Sequence, residues 1–97
     1  MNRSDILAEA KEIITKGREE EYGKPENNFA LIGRLWGEYL RSSMEDNIRN
    51  PEPGEVAIMM ALLKIARIAS GQVKADNYID ACGYLSLAGE LAEAEDD

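Results

Sequence analysis

Residues 55–69 read EVAIMMALLKIARIA, and this stretch is apolar on nearly every side of the helix that it predicts. Asn50-Pro51-Glu52-Pro53-Gly54 stands before it as a rigid linker, and Ser70-Gly71 closes it. A helix that is apolar all round has to be surrounded by other elements. We therefore predict a helix from Glu55 to Ala69 at the centre of an all-α fold.

Two helices are predicted before this stretch. The first covers Ser4–Lys16, with Ser4 as its N-cap and Gly17 as its stop. The second begins at Asn27 or Asn28 and runs to about Ser42. Apolar residues at helical spacing predict the buried stripe of this second helix: Phe29, Ile32, Leu35, Trp36, Tyr39 and Leu40.

A fourth helix is predicted from Ala75 to Ala92, followed by an acidic tail over 93–97 that is expected to fray. A short turn joins helices three and four, so they should pack antiparallel at the core of a single four-helix bundle-like domain spanning 1–97. Helix four is rich in small residues, and helices three and four carry more apolar circumference than a monomer of this size can cover. We expect a homo-oligomer, at least a dimer, with helix four in the interface.

Composition excludes several classes of function. The chain has 19 acidic against 11 basic residues and a net charge of −8, which argues against a nucleic-acid backbone groove and against an anionic membrane surface. Acidity permits basic partners, metal cations or mimicry of nucleic acid, although solubility alone is the commoner reason for an acidic domain. The absence of histidine excludes His-based acid–base catalysis and His-ligated zinc. A single cysteine, Cys82, excludes an internal disulfide and favours the cytoplasm.

Charged residues interrupt the two apolar helices at their adjoining ends. Lys64 and Arg67 share one face of helix three, while Asp76 and Asp80 begin an apolar stripe of helix four that continues through Tyr84. Antiparallel packing would bring the two cations close to the two carboxylates. Such a group suits a phosphate or metal-phosphate ligand, for which Asn77 and Tyr84 are further binding candidates, or else a buried network that only fixes helix register. Both interpretations remain open at this stage.

A second candidate element is the polar segment 18–28, which Gly23 and Pro25 keep out of regular structure. Polar loops on a rigid scaffold are common binding elements, and Arg18, Tyr22 and Asn28 carry groups that can contact a base or a sugar. The alternative is an ordinary solvated loop between helices. We interpret these three residues as ligand-binding candidates.

The joint pattern of REEEYG, NNFALIGRLW, MMALLKIAR and DNYIDACGY resembles a family of small phage and prophage proteins, over about residues 18–90. That resemblance implies an α-helical fold and a phage source, and it brings no established activity. The stretch Asn77-Tyr78-Ile79-Asp80 is also distantly similar to the Glu-x-x-Asp helix of MazG-type all-α NTP pyrophosphohydrolases, with Asn in place of the first acid. Where the preceding helix of that family carries Glu-x-x-Glu, this chain has Lys64-Ile65-Ala66-Arg67.

What the MazG resemblance implies is a helical oligomer that holds Mg²⁺ against a nucleoside triphosphate. We accordingly expect a phage-encoded, MazG-like protein that binds a nucleotide or related phosphate ligand in the host cytoplasm. Lys64 and Arg67 would contact phosphate, and Asp76 and Asp80 would orient these cations or hold one Mg²⁺. Any hydrolysis would be that of a Mg²⁺-dependent pyrophosphohydrolase. The alternative is a non-enzymatic acidic protein that blocks or sequesters a host factor.

Overall fold

The computed structural model of the protein describes residues 1–17 and 24–96, and within them it contains helices and no β-strand. The all-α class predicted from sequence is confirmed. The helices, in chain order, are α1 (Arg3–Glu12), α2 (Pro25–Ser43), α3 (Pro53–Ala69) and α4 (Ala75–Asp96). Helix α1 continues over Ile13–Gly17 as a wider, π-helical turn that ends at the glycine predicted as its stop.

The helix starts differ from the predicted ones for identifiable reasons. The N-cap of α1 is Asn2, not Ser4, because the Asn2 side chain accepts from the Asp5 backbone N–H at 2.9 Å and Asp5 accepts from the Asn2 N–H at 3.2 Å. Helices α2 and α3 begin two residues before Asn27 and Glu55, at Pro25 and Pro53. Proline is favourable there because the first helical N–H has no partner within the helix.

Helix α4 ends later than predicted. It runs to Asp96, past the end expected at Ala92, so that most of the acidic tail belongs to the helix.

An α3–α4 hairpin forms the middle of the molecule, as the sequence predicts. These two helices share the most extensive contact in the structure, while α2 packs mainly on α3 and α1 packs mainly on α4. The outer helices therefore rest on different members of the hairpin. The Cα radius of gyration is 14.5 Å, whereas a compact domain of this length has about 13 Å. The helices enclose a small core and leave much apolar surface open.

The core lies where α2 crosses the hairpin. Phe29 of α2 is fully buried against Val56 and Ala57 of α3 and against Leu87 and Ala88 of α4. Half-buried side chains complete this core: Ile14, Ile32, Trp36, Met60, Tyr84 and Leu91. The core is thus built from all four helical segments, with a single large aromatic at its centre.

Close approach between α2 and the linker explains how α2 is oriented. Gly33 and Gly37 face the linker, where a Cβ on Gly33 would collide with the Pro51 carbonyl oxygen and one on Gly37 would collide with the Asn50 side chain. Arg41 of α2 ties the same linker down by donating to the Ile48 carbonyl at 3.0 Å and to Asn50 at 2.7 Å. Gly33 and Gly37 therefore mark the inner face of α2.

Two residues of the predicted α2 stripe are consequently on the outside. Leu35 and Tyr39 are 61% and 68% exposed, so their prediction as buried is wrong. Helix α3 is also less enclosed than its composition suggests, since Ile58, Leu62 and Ile65 are each about half exposed. Among the described residues, no helix is both long enough and apolar enough to cross a membrane.

Candidate functional site

An ion pair joins the end of α3 to the start of α4. The Lys64 ammonium lies 2.9 Å from a carboxylate oxygen of Asp80, and the two side chains are only 14% and 31% exposed. Lys64 reaches this position because it lies one turn beyond Met60 and Ala61 on the inner face of α3. Of the four charged residues grouped by the sequence, these two are in direct contact.

Arg67 and Asp76 flank this pair on the solvent side. Arg67 lies three residues beyond Lys64 on α3 and Asp76 lies four residues before Asp80 on α4, so each is a surface neighbour of one member of the pair. Both are exposed, and neither takes part in an ion pair or side-chain hydrogen bond within the described part of the chain. The arrangement is an enclosed ion pair with one solvated charge of each sign beside it.

Asn77 has a local structural contact. It is 6% exposed, and its side-chain NH₂ donates to the Gln72 carbonyl oxygen at 2.7 Å. Gln72 in turn donates its N–H to the Arg67 carbonyl at 3.0 Å, and Gly71 between the helices has a φ of +102°, which favours glycine. The amide of Asn77 therefore closes the turn that sets Lys64 opposite Asp80.

The remaining predicted ligand residues lie elsewhere. Tyr84 is half buried with its ring centroid 6.2 Å from that of Phe29, so it packs against the core. Asn28 is half buried in the first turn of α2, with its backbone N–H donating to the Lys24 carbonyl. Arg18 and Tyr22 lie outside the described residues.

Asp76 and Asp80 were the predicted metal ligands. Within residues 1–17 and 24–96, no three or more acidic or cysteine side chains come together as a metal-binding group. Asp76 and Asp80 are therefore not part of such a group, and the Asp80 carboxylate is paired with Lys64.

Sequence reasoning missed a second charged pair, at the start of α3. The Arg49 guanidinium makes a two-pronged contact with Glu55, at 2.6 and 2.8 Å, and the Glu52 backbone N–H donates to the same carboxylate at 3.0 Å. The Arg49 hydrogen bond and then the Glu52 N–H lower the pKa of Glu55 to about 2. The available signal in the sequence was an Arg just before a proline-rich helix start. The side chains of Arg49 and Glu55 are both open to solvent, which is typical of charged residues that cap a helix.

Comparison with known proteins points to phages. The chain is 36% identical to the Gene 55 protein of Mycobacterium phage L5 over 92 residues, and 33% identical to that of Mycobacterium phage D29 over 88 residues. These matches cover 95% and 91% of this chain but 55% and 54% of the two relatives, so the chain spans about half of their length. The predicted resemblance to phage proteins is confirmed.

Neither relative's name links the chain to MazG-type enzymes, and no solved structure matches it significantly. The profile of the Domain of unknown function DUF6378 matches residues 5–92. That range includes all of α2 and α3, the ion pair and most of α4. The chain therefore belongs to the DUF6378 family.

Proposed function

We propose that this phage protein binds a small phosphate-bearing molecule of the nucleotide class where Lys64 meets Asp80. The observation that supports the proposal most directly is that Lys64 is held by one carboxylate, while Arg67 beside it has no partner among the described residues. An ammonium has three N–H donors, so one contact to Asp80 leaves donors for a phosphate oxygen. The Arg67 guanidinium adds a planar fork suited to two phosphate oxygens.

The acidic residues have a matching role in this proposal. Asp80 orients the Lys64 ammonium, and Asp76, at the exposed start of α4, is free to approach a cation. A bound triphosphate would bring Mg²⁺ with it, and Asp76 and Asp80 would supply its protein ligands. Hydrolysis of the MazG type would require that cation. Apart from Lys64 and Arg67, the described residues of the site offer no positive charge that could neutralise the charge developing on the phosphate.

The same proposal gives the flanking polar residues a binding role. Asn77 and Tyr84 would contact the ligand from α4, and Arg18, Tyr22 and Asn28 would close over its base or sugar. For Asn77 this requires that the ligand compete with, or extend, the existing contact to Gln72.

The test is a thermal-shift screen with inorganic phosphate, pyrophosphate, nucleotides and cyclic nucleotides, each with and without Mg²⁺. A ligand that binds only the folded state raises the melting temperature by mass action. We expect a shift with at least one nucleotide, and its loss in Arg67→Met. Arg3→Met is the matched control, because Arg3 is an exposed cation at the start of α1. If no compound stabilises the protein, the proposal is rejected.

A second candidate is a non-enzymatic protein that binds a host factor in the host cytoplasm. The supporting observation is the amount of exposed apolar surface on an acidic chain, including Leu35, Tyr39 and Leu62, which is typical of interaction surfaces. Pull-down from host lysate with the wild-type protein tests it, with a Leu62→Glu variant as the comparison. A partner that is captured by wild type and lost in the variant would favour this candidate.

A homo-oligomer is part of the main proposal; the small residues of α4 favour that helix as its interface, and the exposed face of α2 is the alternative. Light scattering at micromolar concentration tests it, and a monomer would contradict it.

A further inference from the structure

Helix α2 carries a second apolar stripe that points away from the rest of the molecule. Leu31, Leu35 and Tyr39 follow one another at four-residue spacing and are 46%, 61% and 68% exposed. Residues four apart lie on one face of a helix, and this face is opposite the one that Gly33 and Phe29 bury. The stripe is not needed for the internal packing of α2, which has its own inner face.

Opposite charges occur together on one flank of this stripe. Arg34 and Glu38 are four residues apart and exposed, on the same side of the stripe. Arg34 makes no ion pair within the described residues, and the contact of Glu38 is an exposed 3.2 Å pair with Arg41 in its own helix. The flank therefore presents one cation and one anion, one helical turn apart, to whatever covers the stripe.

A flank of this kind is complementary to itself in one arrangement. When a two-fold axis relates two copies of a helix so that they run antiparallel, the same flank of each helix meets the other. With the axis level with Trp36, Arg34 of each copy lies opposite Glu38 of the other, and Leu35 packs beside its counterpart. A parallel pair would instead place this flank against the opposite side of the stripe. We propose that the outer face of α2, and not α4, is the dimerisation surface, on which two copies of this chain pack antiparallel.

Area and charge favour a second copy as the occupant. The three apolar side chains expose on the order of 350 Å², to which the charged flank adds polar area; the apolar part is less than half of the ~800 Å² that each partner contributes to a standard interface. A dimer that is weak, in the micromolar range, is therefore expected. The net charge of −8 opposes docking onto an anionic membrane, while the α2 flank itself is electrically balanced.

The first experiment is sedimentation equilibrium of the full chain over a range of concentrations, comparing wild type with Leu35→Glu and Leu62→Glu. Leu62 on α3 is 56% exposed and serves as the matched control for Leu35, which is 61% exposed. We expect dimerisation in wild type and Leu62→Glu and its loss in Leu35→Glu, with unchanged far-UV circular dichroism in all three. A monomeric wild type overturns the proposal, and so does a dimer that is lost only in Leu62→Glu.

The second experiment exchanges charges between copies. In the Arg34→Glu variant, two acidic side chains would meet across the two-fold axis, and in the Glu38→Arg variant two basic ones would. Each variant alone should therefore be monomeric. Mixed together, they form a heterodimer in which both contacts are again between opposite charges. Effects within one helix cannot produce this rescue, so a mixture that stays monomeric would overturn the proposed pairing even if both single variants fold.

Discussion

The Lys64 ammonium and the Asp80 carboxylate, 2.9 Å apart, form an ion pair between two helices, while the other ion pairs of the described residues lie within a helix or at a helix start. The pair is more enclosed on its lysine side, where 14% of the side chain is exposed against 31% for the aspartate. The two partners therefore differ in what their removal leaves behind.

Removing the carboxylate should cost more than removing the cation. Asp80→Asn strands the enclosed Lys64 ammonium, whereas Lys64→Met leaves a carboxylate with better access to water. We expect Asp80→Asn to lower the free energy of unfolding by about 1–3 kcal/mol, less than for a fully buried pair, and Lys64→Met to lower it by less. Urea unfolding measures both. Adding Lys64→Met to Asp80→Asn should restore stability; a further loss in the double variant would argue against stranded charge as the cause.

Arg67 should behave differently from Lys64. The sequence alone allows Arg67 or Lys64 to be the partner of Asp80, but in the structure Arg67 is exposed. We expect Arg67→Met to change the free energy of unfolding by no more than about 0.5 kcal/mol, as for ordinary surface substitutions. A large loss of stability in Arg67→Met would show a structural role and would weaken the proposed phosphate site.

The close contact between α2 and the linker predicts opposite effects for two glycine substitutions. In Gly33→Ala the new methyl group collides with the Pro51 carbonyl oxygen, so a loss of about 1–3 kcal/mol is expected. Gly89 lies within α4, where a methyl group would meet nothing within 4 Å, and Gly89→Ala should raise stability by up to about 1 kcal/mol through helix propensity. Thermal unfolding of both variants measures these changes in stability. Equal changes in the two variants would contradict the close contact between Gly33 and Pro51.

The Arg49–Glu55 contact predicts a pH dependence. The folded-state pKa of Glu55 is about 2, below its ordinary value of 4.5. A depressed carboxyl pKa stabilises the folded state above pH 4.5, and this contribution is lost as the pH falls from 4.5 to about 2. The difference in unfolding free energy between wild type and Glu55→Gln should therefore shrink over this interval. A difference that is unchanged between pH 6 and pH 2 would contradict the role of the ionised carboxylate.

Helix positions could be predicted largely from sequence, because apolar periodicity and Pro/Gly punctuation mark them directly. The burial of α2 could not. This helix has apolar residues on two opposite sides, and periodicity alone does not say which side faces the core. The deciding contact is with the non-helical linker just before α3, where Gly33 and Gly37 admit Pro51 and Asn50. Two glycines four residues apart, on the side of Phe29, were the available signal.

At the candidate site, sequence reasoning grouped the charges but not their individual roles. Helix spacing and a short turn suffice to bring the end of α3 near the start of α4. The choice of Lys64 over Arg67 depends on a rotation of about 60° around α3, which is within the uncertainty of a helical projection. Asn77 was predicted as a ligand residue because its carboxamide can form hydrogen bonds. Its actual contact with the Gln72 carbonyl depends on the geometry of the turn, which the sequence does not show.

The position of α1 has a consequence for the order of folding. Hairpin α3–α4 is formed by neighbouring segments, so its contacts close a short loop at low entropic cost. Helix α1 rests on α4, and those contacts join segments separated by most of the chain. We therefore expect the hairpin amides to be the slowest to exchange with deuterium, and α1 to detach in partial openings that leave the hairpin intact.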